Sequence, residues 1–302
     1  MFSGGQRLLC LLVVAIAFIS LEARADLMDQ DMAGLSQEQE RLAKEMVTFI
    51  ETMEEKLWGV VEDLNGDAEL EVLEVDAEMA DYVIKAARGD VIAKALFMTN
   101  VNRVAIPPYM PDTFWNRYIK IDIYPKSPLV GKLHITLSFN VNKDGKTGVG
   151  GWMDTVPSTR NEADHDTMRD VVDEIFARYD VDVTPHRDLV CVGDPGEIDP
   201  RYRRKPACSG VSFYFRPGQP PPFGVNENDF QFITETFETM FDVYMDTVKA
   251  RKDQPYTQED VANQDAMHYR NLTDGLLSDP VVRALIPPDV WVLSNTPPSV
   301  KF

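Results

Sequence analysis

The stretch KLHITLSFNV, Lys132–Val141, decides how the chain is read. Leu133, Ile135, Leu137 and Phe139 fall on one side of a two-residue repeat, and His134, Thr136, Ser138 and Asn140 on the other. Such alternation marks a β-strand with one face in an apolar core. The opposite face carries a histidine, the side chain that titrates closest to neutrality. That face either meets bulk water or floors a covered hollow where an imidazole could move protons. A satisfied structural role fits the same residue.

Working outward, Ile119, Ile121 and Ile123 alternate with Lys120, Asp122 and Tyr124, a second half-buried strand, and Lys126-Ser127-Pro128 turns the chain between the two. Lys143-Asp144-Gly145-Lys146 is a hairpin turn leading into GVGGWMDTVP, Gly148–Pro157. Glu69–Val75 (ELEVLEV), Val211–Phe215 (VSFYF) and Val290–Leu293 read as further short strands. Residues 181–206, rich in Pro, Asp and Arg, read as irregular, and Pro107, Pro108 and Pro111 as an extended connection.

Helices flank this run. Ser36 with Gln39 is a capping-box pair opening a stripe of Leu42, Met46, Phe49, Met53, Leu57, Val60 and Leu64, which Asn65-Gly66-Asp67 ends. Met79–Met98 reads as helical with a break near Gly89-Asp90. Asn161–Arg178 and Asn226–Lys252 carry apolar helical stripes, and Thr257 starts a shorter helix. Helices around mostly hairpin-linked strands make an α+β chain with a large, mainly antiparallel sheet. No repeat and no low-complexity linker divides it, so one domain is expected.

With 302 residues and 44% hydrophobic content, a sizeable core is available. The balance of 30 basic against 49 acidic residues argues against nucleic acid and anionic membrane surfaces as partners. The N-terminus reads as a secretory signal: Arg7, an apolar run Leu8–Ile19, and the small-x-small site Ala23-Arg24-Ala25. The expected division is therefore 1–25 as signal peptide and 26–302 as the mature domain, exported to a periplasmic or secretory destination or, in a eukaryote, a complex plastid, with no membrane span after cleavage. Cys191 and Cys208 then remain, either paired or as separate buried thiols. No CxxC or His-Cys cluster suggests a metal.

Three places could carry chemistry. His134 is the first. Asp154, in GGWMDTVP, either holds a turn or offers a carboxylate beside the histidine strand, able to accept hydrogen bonds from a pyrrole or cyclic amine. Gly150 and Gly151 let backbone approach a neighbour or a ligand closely. The third is Arg201-Tyr202-Arg203-Arg204-Lys205, four cations in five residues. It is either solvated surface or a binding site for a ligand with several carboxylates. Gly148–Gly151 lacks the Lys-Ser/Thr of a phosphate loop, and no serine sits in a G-x-S-x-G elbow. Asn271-Leu272-Thr273 is a glycosylation sequon.

The order of these pieces resembles oxygen-dependent coproporphyrinogen III oxidase over residues 36–302. Where that family reads approximately NPxxPTxHxNYRYFE, GGGxDLTPxY and RGxGGxFFDD, this chain reads SPLVGKLHITLSFN, GVGGWMDTVPST and ACSGVSFYF. VLSNTPPSVKF is similar to the family's ending and HYRNLTD to its EFN-x-x-YD. The resemblance matches His134 to the family's strand histidine, Asp154 to its aspartate beside the pyrrole nitrogens and, with a gap, Asn271 to its asparagine. The departures are Thr136 and Ser138 for Asn and Arg, Arg169 for the second histidine of a helix pair, SFYF for FFDD, and a missing glycine-rich N-terminal segment.

The family implies a coproporphyrinogen oxidase-like fold, a homodimer packed through the sheet region, and oxidative decarboxylation of two propionates to vinyls. Molecular oxygen is the co-substrate, with no metal or organic cofactor. Asp154 would then lie under the ring with His134 managing a proton or orienting a propionate. Gly150 and Gly151 would lie close to the substrate, Asn271 would contact it, and Arg203, Arg204 and Lys205 would bind peripheral carboxylates. The alternative expectation is an exported, non-catalytic tetrapyrrole-binding protein on the same fold, which the signal peptide and the lost Asn and Arg favour.

Overall fold

A computed structural model describes residues 32–102, 113–191, 207–213, 226–272 and 286–301. Its frame is a seven-stranded sheet in strictly sequential order, every neighbouring pair antiparallel. The strands are β1 (Leu70–Asp76), β2 (Ala80–Ala87), β3 (Ile92–Asn102), β4 (Thr113–Pro125), β5 (Lys132–Asn142), β6 (Thr147–Val156) and the two-residue β7 (Val211–Ser212). The helices are α1 (Gln37–Asn65), α2 (Glu162–Arg178), α3 (Thr184–Val190), α4 (Glu227–Arg251), α5 (Gln258–Leu272) and α6 (Pro288–Asn295). This is an α+β architecture.

The alternation of β5 does what its sequence implies. Leu133, Ile135, Leu137 and Phe139 join Ile119, Ile121 and Ile123 of β4 in a core closed by α1, α2 and α4. Burying each such side chain contributes roughly 1.5–3 kcal/mol. Both long helices begin where their caps predict: Ser36 and Gln39 exchange hydrogen bonds at the start of α1, and Asn226 and Asp229 do so at α4. Gly145, at φ 81°, makes the β5–β6 turn in a conformation that glycine reaches without a Cβ penalty. A smaller cluster on the other side of the sheet packs Tyr82, Ile84, Ala86, Leu96 and Met98 against Val290 and Leu293 of α6.

Several expected elements differ. Met79–Met98 is not a helix but the β2–β3 hairpin, with Gly89-Asp90 in its turn. Both strands are buried on both faces, so their apolar residues do not alternate and the run resembles a buried helix. Val290–Leu293 is not a strand: Pro288 at the first helical position starts α6 there. The region from 181 contains helix α3, and of VSFYF only Val211 and Ser212 pair as a strand among the described residues. The expected signal peptide, the proline-rich connection and the basic run Arg203-Arg204-Lys205 lie outside the described residues.

Candidate functional site

The turn between β4 and β5 fixes a register in which Asp122 faces His134, and the β5–β6 hairpin places His134 opposite Asp154. The three side chains therefore lie in one row across three strands, on the face away from the α1/α2/α4 core. Directly opposed Cβ atoms on neighbouring antiparallel strands are about 4.5–5.5 Å apart. Thr136, Trp152 and Ser212 form the adjacent row. Around these rows the face is shielded from bulk water: His134 is 3% exposed, Asp154 3%, Asp122 0% and Trp152 5%.

Asp122 is the hub. His134 Nδ1 lies 2.6 Å from its Oδ1, and the Nζ atoms of Lys132 and Lys120 lie 2.9 and 3.3 Å from its Oδ2. Burial pushes the carboxyl towards protonation, but Lys120, Lys132 and the histidine outweigh it and hold Asp122 well below the usual carboxylate range. An ionised carboxylate only accepts hydrogen bonds, so His134 donates through Nδ1–H and Nε2 is left as its basic nitrogen. Burial lowers the imidazole to about 4, against the opposing pull of Asp122 and with help from Lys132 and Lys120. The ring is thus neutral near pH 7.

The lysines also terminate α6. Lys94 donates to Leu293 O and Thr296 O, both at 2.7 Å, and Lys120 to Ser294 O at 2.8 Å and Asn295 Oδ1 at 2.7 Å. The last carbonyls of a helix lack intrahelical donors and carry partial negative charge, so buried cations there satisfy both needs. Burial, reinforced by Arg88, Lys120 and Lys132, brings Lys94 down to about 7.

Asp154 is anchored from another direction. Its Oδ1 accepts the Ser209 hydroxyl at 3.2 Å and the Gly210 N–H at 3.0 Å. A Cβ at Gly210 would collide with the backbone of Met153 and Asp154, so only glycine fits there. Cys191 and Cys208 are joined as a disulfide, with Cα atoms 4.7 Å apart, immediately before this pair of donors.

The remaining candidates separate. Gly150 shares the face of Asp154, and its carbonyl accepts the Ser138 hydroxyl at 3.2 Å. Gly151 turns towards the core: a Cβ there would sit 2.7 Å from Thr136 O and 3.5 Å from Leu137 and Met153 side chains, so its missing side chain admits the neighbouring strand. Asn271 is buried, and its amide donates to Tyr124 Oη at 2.6 Å and to Asn295 O at 3.2 Å, a third cap on α6. In this conformation the sequon amide is already engaged. Arg169 donates to Cys208 O at 3.3 Å.

Sequence reasoning missed Asp122, Lys120, Lys132 and Lys94. The signal was present for two of them, since Lys120 and Asp122 alternate with the β4 isoleucines, but charged residues in half-apolar strands ordinarily face solvent. Among the described residues no cluster of His, Cys, Asp and Glu is suited to hold a metal, and no helix is long and apolar enough to cross a membrane. No protein-family model matches the chain, and no curated protein matches it.

Proposed function

We propose that the charged sheet face acts on a reduced tetrapyrrole bearing propionates, decarboxylating coproporphyrinogen III or a close relative with molecular oxygen. The observation that carries the reading is the direct cross-strand opposition of His134 and Asp154 on a solvent-shielded face. A carboxylate anchored by Ser209 and Gly210 can accept pyrrole N–H groups, which are donors only. A neutral imidazole oriented by Asp122 presents Nε2 as proton acceptor.

In each turn one propionate loses carbon dioxide and one hydrogen from the carbon beside the ring. Two electrons pass to oxygen, which takes up that proton and one from solvent and leaves as hydrogen peroxide; the side chain becomes a vinyl. The two electrons come from the side chain's C–H and C–CO2 bonds and pass through the electron-rich macrocycle, whose own oxidation state is unchanged. In this scheme His134 receives the substrate proton and Asp154 fixes the ring.

A second reading, an exported carrier that binds the tetrapyrrole without turnover, is favoured by one feature: His134 titrates at about 4, low for a base working near neutrality. The experiment incubates the mature protein with coproporphyrinogen III in air, against a protein-free control, and follows protoporphyrin fluorescence and carbon dioxide release. Turnover lost in Asp154→Ala, with the fold intact by circular dichroism, supports the oxidase. Tight binding without carbon dioxide release supports the carrier. Neither binding nor turnover overturns both.

A further inference from the structure

Asp154 Oδ1 accepts hydrogen bonds from two consecutive residues, Ser209 and Gly210, that follow the disulfide cysteine directly. Cys208 itself has φ 61°, a left-handed conformation that a residue with a Cβ adopts only when its surroundings impose it. Those surroundings are specific. The bridge to Cys191 ties the residue to the end of α3, and the Arg169 guanidinium donates to its carbonyl at 3.3 Å. Arg160 donates to the carbonyl of Ala207 at 3.1 Å. Beyond the clamp, Ser212 Oγ and Phe213 N both donate to Gly151 O, at 3.0 and 2.7 Å, and His186 of α3 donates to Ser212 O at 2.9 Å. Residues 209–213 thus run along the edge of β6, and Gly210 packs against the backbone carrying Asp154.

We propose that the Cys191–Cys208 disulfide is a redox-responsive positioning element for Asp154. While oxidised, it holds Cys208 in the left-handed turn that aims the Ser209 hydroxyl and the Gly210 N–H at the carboxylate. A dithiol reductant transfers two electrons and two protons, converting the bridge to two thiols and itself to a cyclic disulfide. Cys208 then relaxes towards ordinary negative φ and the two donors swing off Oδ1. The inference concerns how Asp154 is held rather than what it meets, so it stands or falls independently of the tetrapyrrole reading.

The test is hydrogen–deuterium exchange on the mature chain, without ligand, before and after treatment with dithiothreitol under native conditions. A Cys191→Ser/Cys208→Ser double variant is measured alongside. The expected result is a rise of about tenfold or more in exchange at residues 208–213, with β4 and β5 amides unchanged. Unchanged exchange at 208–213 once mass spectrometry shows both thiols free would overturn the proposal. A uniform rise across the whole sheet would overturn it equally, since that is the signature of a bridge stabilising the fold at large. Should the double variant not fold, reduction of the folded protein still decides between these outcomes.

Discussion

On one side of β4 and β5 sit Ile119, Ile121, Ile123, Leu133, Ile135 and Leu137; alternating with them, on the other side, sit Lys120, Asp122, Tyr124, Lys132, His134 and Thr136. Both sets are buried. The first set coheres through apolar burial, which asks only for volume and contact. The second must pair the charges it hides, and sets one carboxylate between two lysines and a histidine, with the carbonyls at the end of α6 taking further lysine donors. Such an arrangement is costly to assemble and easily broken, because removing one partner leaves the others uncompensated in a medium of low polarity. Chains retain buried charge networks where they do chemistry or binding more often than where they only need a core.

That contrast can be broken at its hub. Asp122→Ala leaves Lys120, Lys132 and His134 without their acceptor, and the expected loss is about 3–5 kcal/mol in urea denaturation. On the apolar face, Ile135→Ala leaves only a cavity, with an expected loss of about 2–5 kcal/mol by the same assay. Neither penalty is expected to respond strongly to salt, because the ion pairs around Asp122 are buried and so little screened.

Acid sharpens the difference. His134 titrates at about 4 when folded against a reference of 6.5. Between those values the unfolded chain binds a proton that the folded chain refuses, so stability is full above 6.5 and falls as the pH drops towards 4, by roughly 3 kcal/mol for this imidazole. Buried His165 and His268, also lowered to about 4 chiefly by burial, act in the same direction. Unfolding midpoints measured at pH 7 and pH 4.5 should separate accordingly, and His134→Gln should flatten the slope. The smallest expected effect is at the end of α6: Asn271→Ala strips a donor from Tyr124 Oη and Asn295 O, with an expected cost of about 1–3 kcal/mol.

The hairpin β5–β6 and the helices α1 and α4 were legible because each carries a local signal: alternation, a glycine turn, a capping box. The β2–β3 hairpin was hidden by burial on both faces, and α6 by a β-branched run whose helical state depends on the proline before it and the lysines that receive its end. His134 and Asp154 could be picked out by type and neighbourhood. Asp122 could not, because its meaning comes from what faces it across the strands.

For β4, β5 and β6 the sequence by itself determined which residues share a face, since side chains alternate strictly along a strand and turn residues fix where the chain reverses. Only the tertiary structure decided that the polar face would be dry, that two lysines would meet one carboxylate beneath the end of a helix, and that Cys191 would reach Cys208 beside Asp154. Those outcomes depend on contacts between segments far apart in the chain. No local pattern encodes such contacts, because their energies exist only once the strands are in register.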